Sequence, residues 1–303
     1  SLQGKHSKGQ RMNQAPTGGR PHSPIQGTNT LLIGPTGVGK TASLATMALA
    51  GIELFVVFTE SGLESLVGRF LDDPPYGLGM KEVPENVHWH VLPQMPGSFE
   101  TLAGGAKMVH TLSHATLLTM RDPDHLKHNQ FIGFLNALTN FPDDRTGKTF
   151  GAVDSWGTGR CFGLDSLTGL NPIAMSLVIG GKPVKGPGDY GKAQDQLEKF
   201  IRLCTGCRCH FAMLAHPERE VDQISGGVKL YPSLPGKALA PIIAPLFSDV
   251  VKVYREGLKF SWATDDGQMD LKARNLPIAS GIPQDFRQIV EKWRSRGGLV
   301  EAG

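Results

Sequence analysis

Eight consecutive residues, Gly34-Pro-Thr-Gly-Val-Gly-Lys-Thr41, have the spacing G-x-x-x-x-G-K-[ST]. The chemistry open to such a run is the binding of a polyphosphate. Gly34, Gly37 and Gly39, with Pro35, Thr36 and Val38 between them, let the backbone curl tightly enough for successive N–H groups to face phosphate oxygens. Lys40 then reaches the β- and γ-phosphates, and the Thr41 hydroxyl is placed to ligate Mg²⁺. All eight residues are therefore candidate contacts for a nucleotide, ATP, with Mg²⁺ as its ion. A second Gly147-Lys148-Thr149 lacks the leading glycine, because that place is held by Pro142, and it reads as a loop.

Cleaving a phosphate needs further groups. Asp165 follows the apolar run 161–164 and is the candidate carboxylate for the metal and its water shell. Asp154 competes for that role behind a shorter apolar run. Glu60 closes the run 54–59 and is the candidate base for an attacking water. His216 closes the run 210–215, where it could either sense the γ-phosphate or cap the strand.

These residues need a scaffold that brings strand ends to one edge. The apolar run 31–33 ends in Gly34, a helix-forming stretch covers 40–50, Gly51 stops it, and 54–58 is a continuous β-prone run. Strand, helix, strand in short succession is a βαβ unit with a parallel sheet. Further strands are expected at 87–91, 161–164, 210–215 and 249–254, and helices at 99–120, 128–140 and 192–203. A hairpin is expected from 258–262 and 269–274 about the turn Asp265-Asp266-Gly267. The fold class is α/β: a P-loop core with a mostly parallel central sheet, a mostly helical insertion over 70–150 and a C-terminal hairpin. One domain over 29–303 is expected behind an arm over 1–28.

Composition narrows the class. The chain has 303 residues, 40% of them hydrophobic and 19% charged, as a globular core requires. No apolar run approaches the roughly 18 residues of a membrane helix, and the first thirty residues hold no apolar signal segment. Four cysteines do not make a disulfide framework, so a reducing cytoplasm is expected. The net charge of +3 resides in the arm, where Lys5, Lys8, Arg11 and Arg20 stand without an acid and leave the remainder at −1. The arm reads as a flexible basic tail, with contact to DNA as the alternative. Cys204, Cys207, Cys209 and His210 raise a zinc site as an alternative to buried thiols, but the second half of a usual zinc spacing is missing.

Taken together, the segments 34–41, Thr59-Glu60, Leu164-Asp165-Ser-Leu-Thr168, Met213-Leu-Ala-His-Pro-Glu218, 226–239, 247–251 and 271–277 resemble the RecA-like core ATPases. The resemblance is nearest to phage nucleotide-binding proteins of the RecA-core single-strand annealing kind, and it covers roughly 29–286. It implies Mg²⁺-dependent, DNA-stimulated ATP hydrolysis, with Glu60 activating water and His216 coupling γ-phosphate to a DNA loop. Histidine at 216 rather than glutamine, the insertion, and the lack of a separate C-terminal DNA-binding domain depart from recombinase RecA.

The resemblance also places two DNA loops. The first falls in 179–191, where glycines and prolines are expected to forbid a helix and Lys182 and Lys185 offer phosphate contacts. The second falls in 217–236, with Arg219, Lys229 and an exposed Tyr231 that could stack on a base. Lys272 and Arg274, two apart on the expected hairpin strand, share a face and correspond to cations that reach a neighbouring subunit's nucleotide in trans. Single-stranded DNA, a homo-oligomer in ring or filament form, and a single-strand-binding protein are the implied partners, in the cytoplasm of a phage-infected bacterium. The competing functions are a ring-forming motor, either helicase or packaging ATPase, and a nucleotide-binding scaffold without turnover.

Overall fold

Neighbouring strand residues are sent alternately to two buried layers, the period-2 consequence of the pleat. Leu31 and Ile33, Phe55 and Val57, Phe162 and Leu164, and Phe211 and Met213 enter one layer. Leu32, Leu54, Val56, Phe58, Cys161, Ala212 and Leu214 enter the other. Strands buried on both faces read as unbroken apolar runs, and helices must cover each face.

The computed structural model describes residues 25–93, 97–120, 125–221, 227–236 and 238–301. In chain order it contains β1 (Asn29–Ile33), α1 (Lys40–Leu49), β2 (Glu53–Phe58), α2 (Leu63–Leu71), β3 (Val87–Val91), α3 (Phe99–Thr111), α4 (His114–Thr119) and α5 (Gln130–Thr139). There follow β4 (Arg160–Asp165), α6 (Leu167–Ile179), α7 (Pro187–Gly206), β5 (His210–Ala215), β6 (Pro217–Val221), β7 (Val228–Pro232) and α8 (Ala240–Ile243). The chain ends with β8 (Asp249–Glu256), β9 (Lys259–Ala263), β10 (Ile282–Pro283) and α9 (Arg287–Ser295).

Eight strands form one sheet in the order β10-β9-β8-β1-β5-β4-β2-β3. The six from β8 to β3 run parallel, and β9 and β10 add antiparallel pairs at one side. Helices α1, α2 and α9 cover one face, and α5, α6 and α7 the other. This is the α/β class with a mostly parallel central sheet. Because β1, β2, β4 and β5 are parallel, their carboxyl ends emerge at one edge, where crevices form in such sheets. Gly163 in the middle of β4 serves close packing: a Cβ there would lie 3.3 Å from Val56 Cγ2 and 3.6 Å from Leu44 of α1.

Several local expectations change. The arm gives way to the folded body before residue 28: Gly27 N donates to Arg208 O at 2.8 Å, Thr28 N donates to His210 Nδ1 at 3.0 Å, and Gln26 O accepts from Trp293. Lys5, Lys8, Arg11 and Arg20 lie outside the described residues. The single helix expected over 99–120 is two, because Ser113 accepts from Thr116 N and caps a new start. Within the insertion, β3 belongs to the main sheet, paired with β2. Asp143 and Asp144 accept from Trp89 N and Val91 N on its open side.

The C-terminal hairpin is built from β8 and β9 about Gly257 and Leu258, rather than from 258–262 and 269–274. The segment 267–276 forms no strand of the sheet and makes one isolated bridge, Lys272 to Val250. The buried Asp249 carboxylate accepts from Arg274 N and Asn275 N, each at 2.8 Å, and turns the chain there. Lys272 and Arg274 therefore sit on an irregular segment, not on a strand. The segment 217–236, expected as a loop, contains the antiparallel pair β6 and β7. The segment 179–191, expected as a loop, is also partly helical. Pro187 opens α7, as a proline tolerates at N1, and the Asp189 carboxylate accepts from Gly186 N at 2.8 Å.

Candidate functional site

The loop 34–39 leaves the carboxyl end of β1 and passes directly into α1. Gly39 has φ +90°, a left-handed conformation that a side chain would strain. Helix α1 has no side-chain cap at its start, so its first N–H groups and its dipole face the loop. Lys40 is buried, and its Nζ donates to Gly34 O at 2.6 Å and Pro35 O at 2.7 Å. Burial lowers the Lys40 ammonium to about 8, against the opposing pull of Asp165 and Glu60. A phosphate at this place gives the ammonium charged acceptors in exchange for the two carbonyls.

Three other strand ends converge on it. Thr41 Oγ1 donates to Asp165 Oδ2 at 2.6 Å. Burial raises the Asp165 carboxyl to about 6, a shift that Glu60 reinforces and that Thr41 and Lys40 oppose. Asp154, its competitor, is exposed on a short 3-10 turn. Beyond β2, Glu60 Oε1 accepts from the Ser166 hydroxyl, and Glu60 Oε2 stands 3.9 Å from His216 Nε2. Ser166 Oγ also caps α6 by accepting from Gly169 N at 3.1 Å. His216 N donates to Thr168 Oγ1 at 2.9 Å, so the first turn of α6 touches both Glu60 and His216. Burial and the Lys40 charge lower the His216 imidazole below its usual range.

These groups line a cleft of about 740 Å³, a volume suited to a small ligand. Sequence reasoning missed most of its wall. Arg69 and Tyr76 come from α2 and the segment after it, and Phe260, Gln284, Asp285 and Arg287 come from the C-terminal strands and α9. None carries a motif; tertiary folding alone brings them beside the loop. Arg69 Nη1 donates to Tyr76 O at 3.3 Å, and Arg287 is held by both Asp285 oxygens.

The other candidates are placed elsewhere. Lys272 donates to Pro245 O at 3.1 Å and Arg274 is exposed; neither lines the cleft of its own chain. Lys182 is half-buried and faces Asp189 at 3.4 Å, whereas Lys185 is exposed. On the β6–β7 hairpin Arg219 and Lys229 are exposed, with Glu220 directly opposite Lys229 and Glu218 opposite Tyr231, so both signs alternate there. Tyr231 is half-buried against the core under the hairpin, not exposed, which corrects the reading of it as a free stacking platform. Cys204, Cys207 and Cys209 are buried free thiols, and His210 Nδ1 is engaged by Thr28. Among the described residues no three His, Cys, Asp or Glu side chains are grouped to hold a metal, and no helix is long and apolar enough to cross a membrane.

Strand order, the loop after β1 and the carboxylate that ends β4 together define a chain of the α/β class, with a glycine-rich loop and an acid at the carboxyl edge of a mostly parallel sheet. No family model matches the sequence, and no curated protein matches it. Forty-eight chains of solved structures match. Among them is the flagellar accessory protein FlaH from Methanocaldococcus jannaschii, 9% identical, covering 78% of this chain and 76% of its own, with a TM-score of 0.33. At that score FlaH carries no weight for what this chain does.

Proposed function

We propose that this chain is a Mg²⁺-dependent ATPase that acts on single-stranded DNA as a homo-oligomer, in phage-type recombination or strand annealing. The observation that carries the hydrolytic part is the meeting of Lys40, the Thr41–Asp165 pair and Glu60 at one sheet edge. Thr41 and Asp165 are adjacent hard oxygen donors of the kind Mg²⁺ accepts, and they would hold it. When bound, the ion neutralises charge developing on the phosphates. The loop N–H groups and Lys40 bind and orient the nucleotide. Glu60, steadied by Ser166, takes the proton of the attacking water.

The DNA part is supported by proximity. The β6–β7 hairpin, with Arg219 and Lys229, starts one residue after His216, and His216 faces Glu60. A change in Glu60 on hydrolysis therefore has a short path to the hairpin, through space to His216 and along the chain from there. Lys185 adds an exposed cation after α6. Assembly would bring Arg274 of one subunit toward the cleft of the next.

The test is ATP turnover with and without single-stranded DNA, alongside an annealing assay with complementary strands. Stimulation by DNA and faster annealing support the reading. ATP-driven unwinding or translocation without annealing favours the motor, and tight ATP binding without turnover favours the scaffold.

A further inference from the structure

One amide joins the phosphate loop to the far end of the chain. Gln284 Nε2 donates to Val38 O at 2.9 Å and lies 3.2 Å from Ser261 O and 3.5 Å from Tyr254 O. It is delivered by β10, whose Pro283 pairs with Ser261 of β9. On its other side Phe286 N donates to Thr46 Oγ1 of α1 at 2.8 Å, and the Phe286 ring is fully buried. The Gln284 backbone is thus fixed on both sides of the side chain.

The amide also presses on the loop. A Cβ at Gly39 would lie 2.6 Å from Gln284 Oε1 and 3.1 Å from Phe260 Cδ1. The Val38–Gly39 peptide is trans, so its C=O and N–H point in opposite directions. Holding the Val38 carbonyl toward Gln284 turns the Gly39 N–H away from the hairpin. Among the described residues that N–H has no acceptor, so it is available to an anion.

We propose that Gln284 is a positioning residue for the phosphates: it fixes the Val38–Gly39 peptide so that the Gly39 N–H faces the bound di- or triphosphate. This rests on the reading of loop 34–41 as a nucleotide site. Gln284 is neutral, so it acts through geometry and not through charge. Without it the peptide can rotate, and the cradle gives up one donor. The same hydrogen bond makes the C-terminal strands part of the nucleotide site, although Gln284 stands 246 residues from Val38 in sequence.

The experiment titrates ADP with Mg²⁺ into the full chain, its Gln284→Met and Gln284→Glu variants, and Lys40→Ala as reference. Methionine keeps the volume and removes the donor. ADP should bind Gln284→Met about five- to tenfold more weakly, the effect of one neutral hydrogen bond. The KM for ATP should rise similarly, while kcat changes less than threefold. In Gln284→Glu the carboxylate repels the Val38 carbonyl but its protonated form donates to it. Binding by that variant should therefore tighten relative to Gln284→Met as the pH falls from 8 to 5.5, which a packing role would not produce. Equal ADP affinity of wild type and a folded Gln284→Met, or a Gln284→Glu variant without that pH response, overturns the proposal. If Lys40→Ala binds ADP as well as wild type, the nucleotide site itself is refuted and Gln284 falls with it.

Discussion

Gly169 provides a sharp perturbation of the site, because it leaves room for the Glu60 side chain, the base under the proposal. It is the third residue of α6, and a Cβ built there would lie 2.4 Å from Glu60 Cγ, 2.5 Å from Thr59 Oγ1 and 2.8 Å from Glu60 Oε1. Contacts that short cannot persist. Thr59 Oγ1 is buried and locked, donating to Ser166 O at 2.8 Å and accepting from Ser166 N at 2.9 Å. The half-buried Glu60 side chain must give way by about 1 Å to restore ordinary contact, and the first turn of α6 must shift slightly from Thr59 as well. A displacement of that size costs on the order of 100-fold in rate for a group that must meet its partner closely. Alanine gains up to about 1 kcal/mol in helix propensity, and overpacking costs about 1–3 kcal/mol, so Gly169→Ala should lose about 1–2 kcal/mol of stability. The loop 34–41 is untouched, and ADP affinity should stay within about twofold. Steady-state turnover, ADP titration and a thermal melt measure the three effects separately. A folded Gly169→Ala protein whose turnover stays within threefold of wild type would refute the placement of Glu60 as the base.

Three other outcomes are expected. Glu60→Gln should bind ATP about as wild type does and lose most hydrolysis in single-turnover assays, since the amide cannot accept a proton. Asp165→Asn should raise the midpoint of thermal unfolding above pH 6 while abolishing Mg²⁺-dependent turnover. The folded Asp165 carboxyl lies at about 6 instead of 3.8, so its stabilising share is full below pH 4 and is lost as pH rises through 6, about 3 kcal/mol in all. Replacing Lys185, Arg219 and Lys229 together should weaken single-strand binding for every sequence alike, and the slope of log affinity against log salt should fall by about 0.7 for each phosphate no longer neutralised. An unchanged slope places DNA elsewhere on the surface.

The sheet and the phosphate loop were legible because their signals are local. A strand buried on both faces must be apolar throughout, and a loop that curls around phosphate must hold glycine at set places. Asp165, Glu60 and His216 were legible because each ends an apolar run, and parallel strands bring such ends to one edge. The partner of β9 was not legible. Lys252 pairs with Asp266 and Asp249 holds the backbone at Arg274 and Asn275, long-range interactions that no turn signal announces. The start of α7 escapes a sequence reading because Gly186 and Pro187 look like loop residues, while Asp189 three places on supplies the cap. Tyr231 looks exposed beside Lys229, two residues away on the same strand face, yet its ring packs onto the core beneath the hairpin while Lys229 stays outside. Gln284 could not be found from sequence at all, since only the return of the chain to the sheet edge brings it to Val38.

The central claim is that residues 34–41 bind the phosphates of ATP and that the surrounding groups hydrolyse it. Calorimetric titration of ATP into wild type and Lys40→Ala, with and without Mg²⁺, followed by phosphate release on the same samples, measures this directly. Wild type should bind ATP more tightly with Mg²⁺ present and release phosphate, and folded Lys40→Ala should do neither. ATP binding and phosphate release by Lys40→Ala at the wild-type level would contradict the assignment.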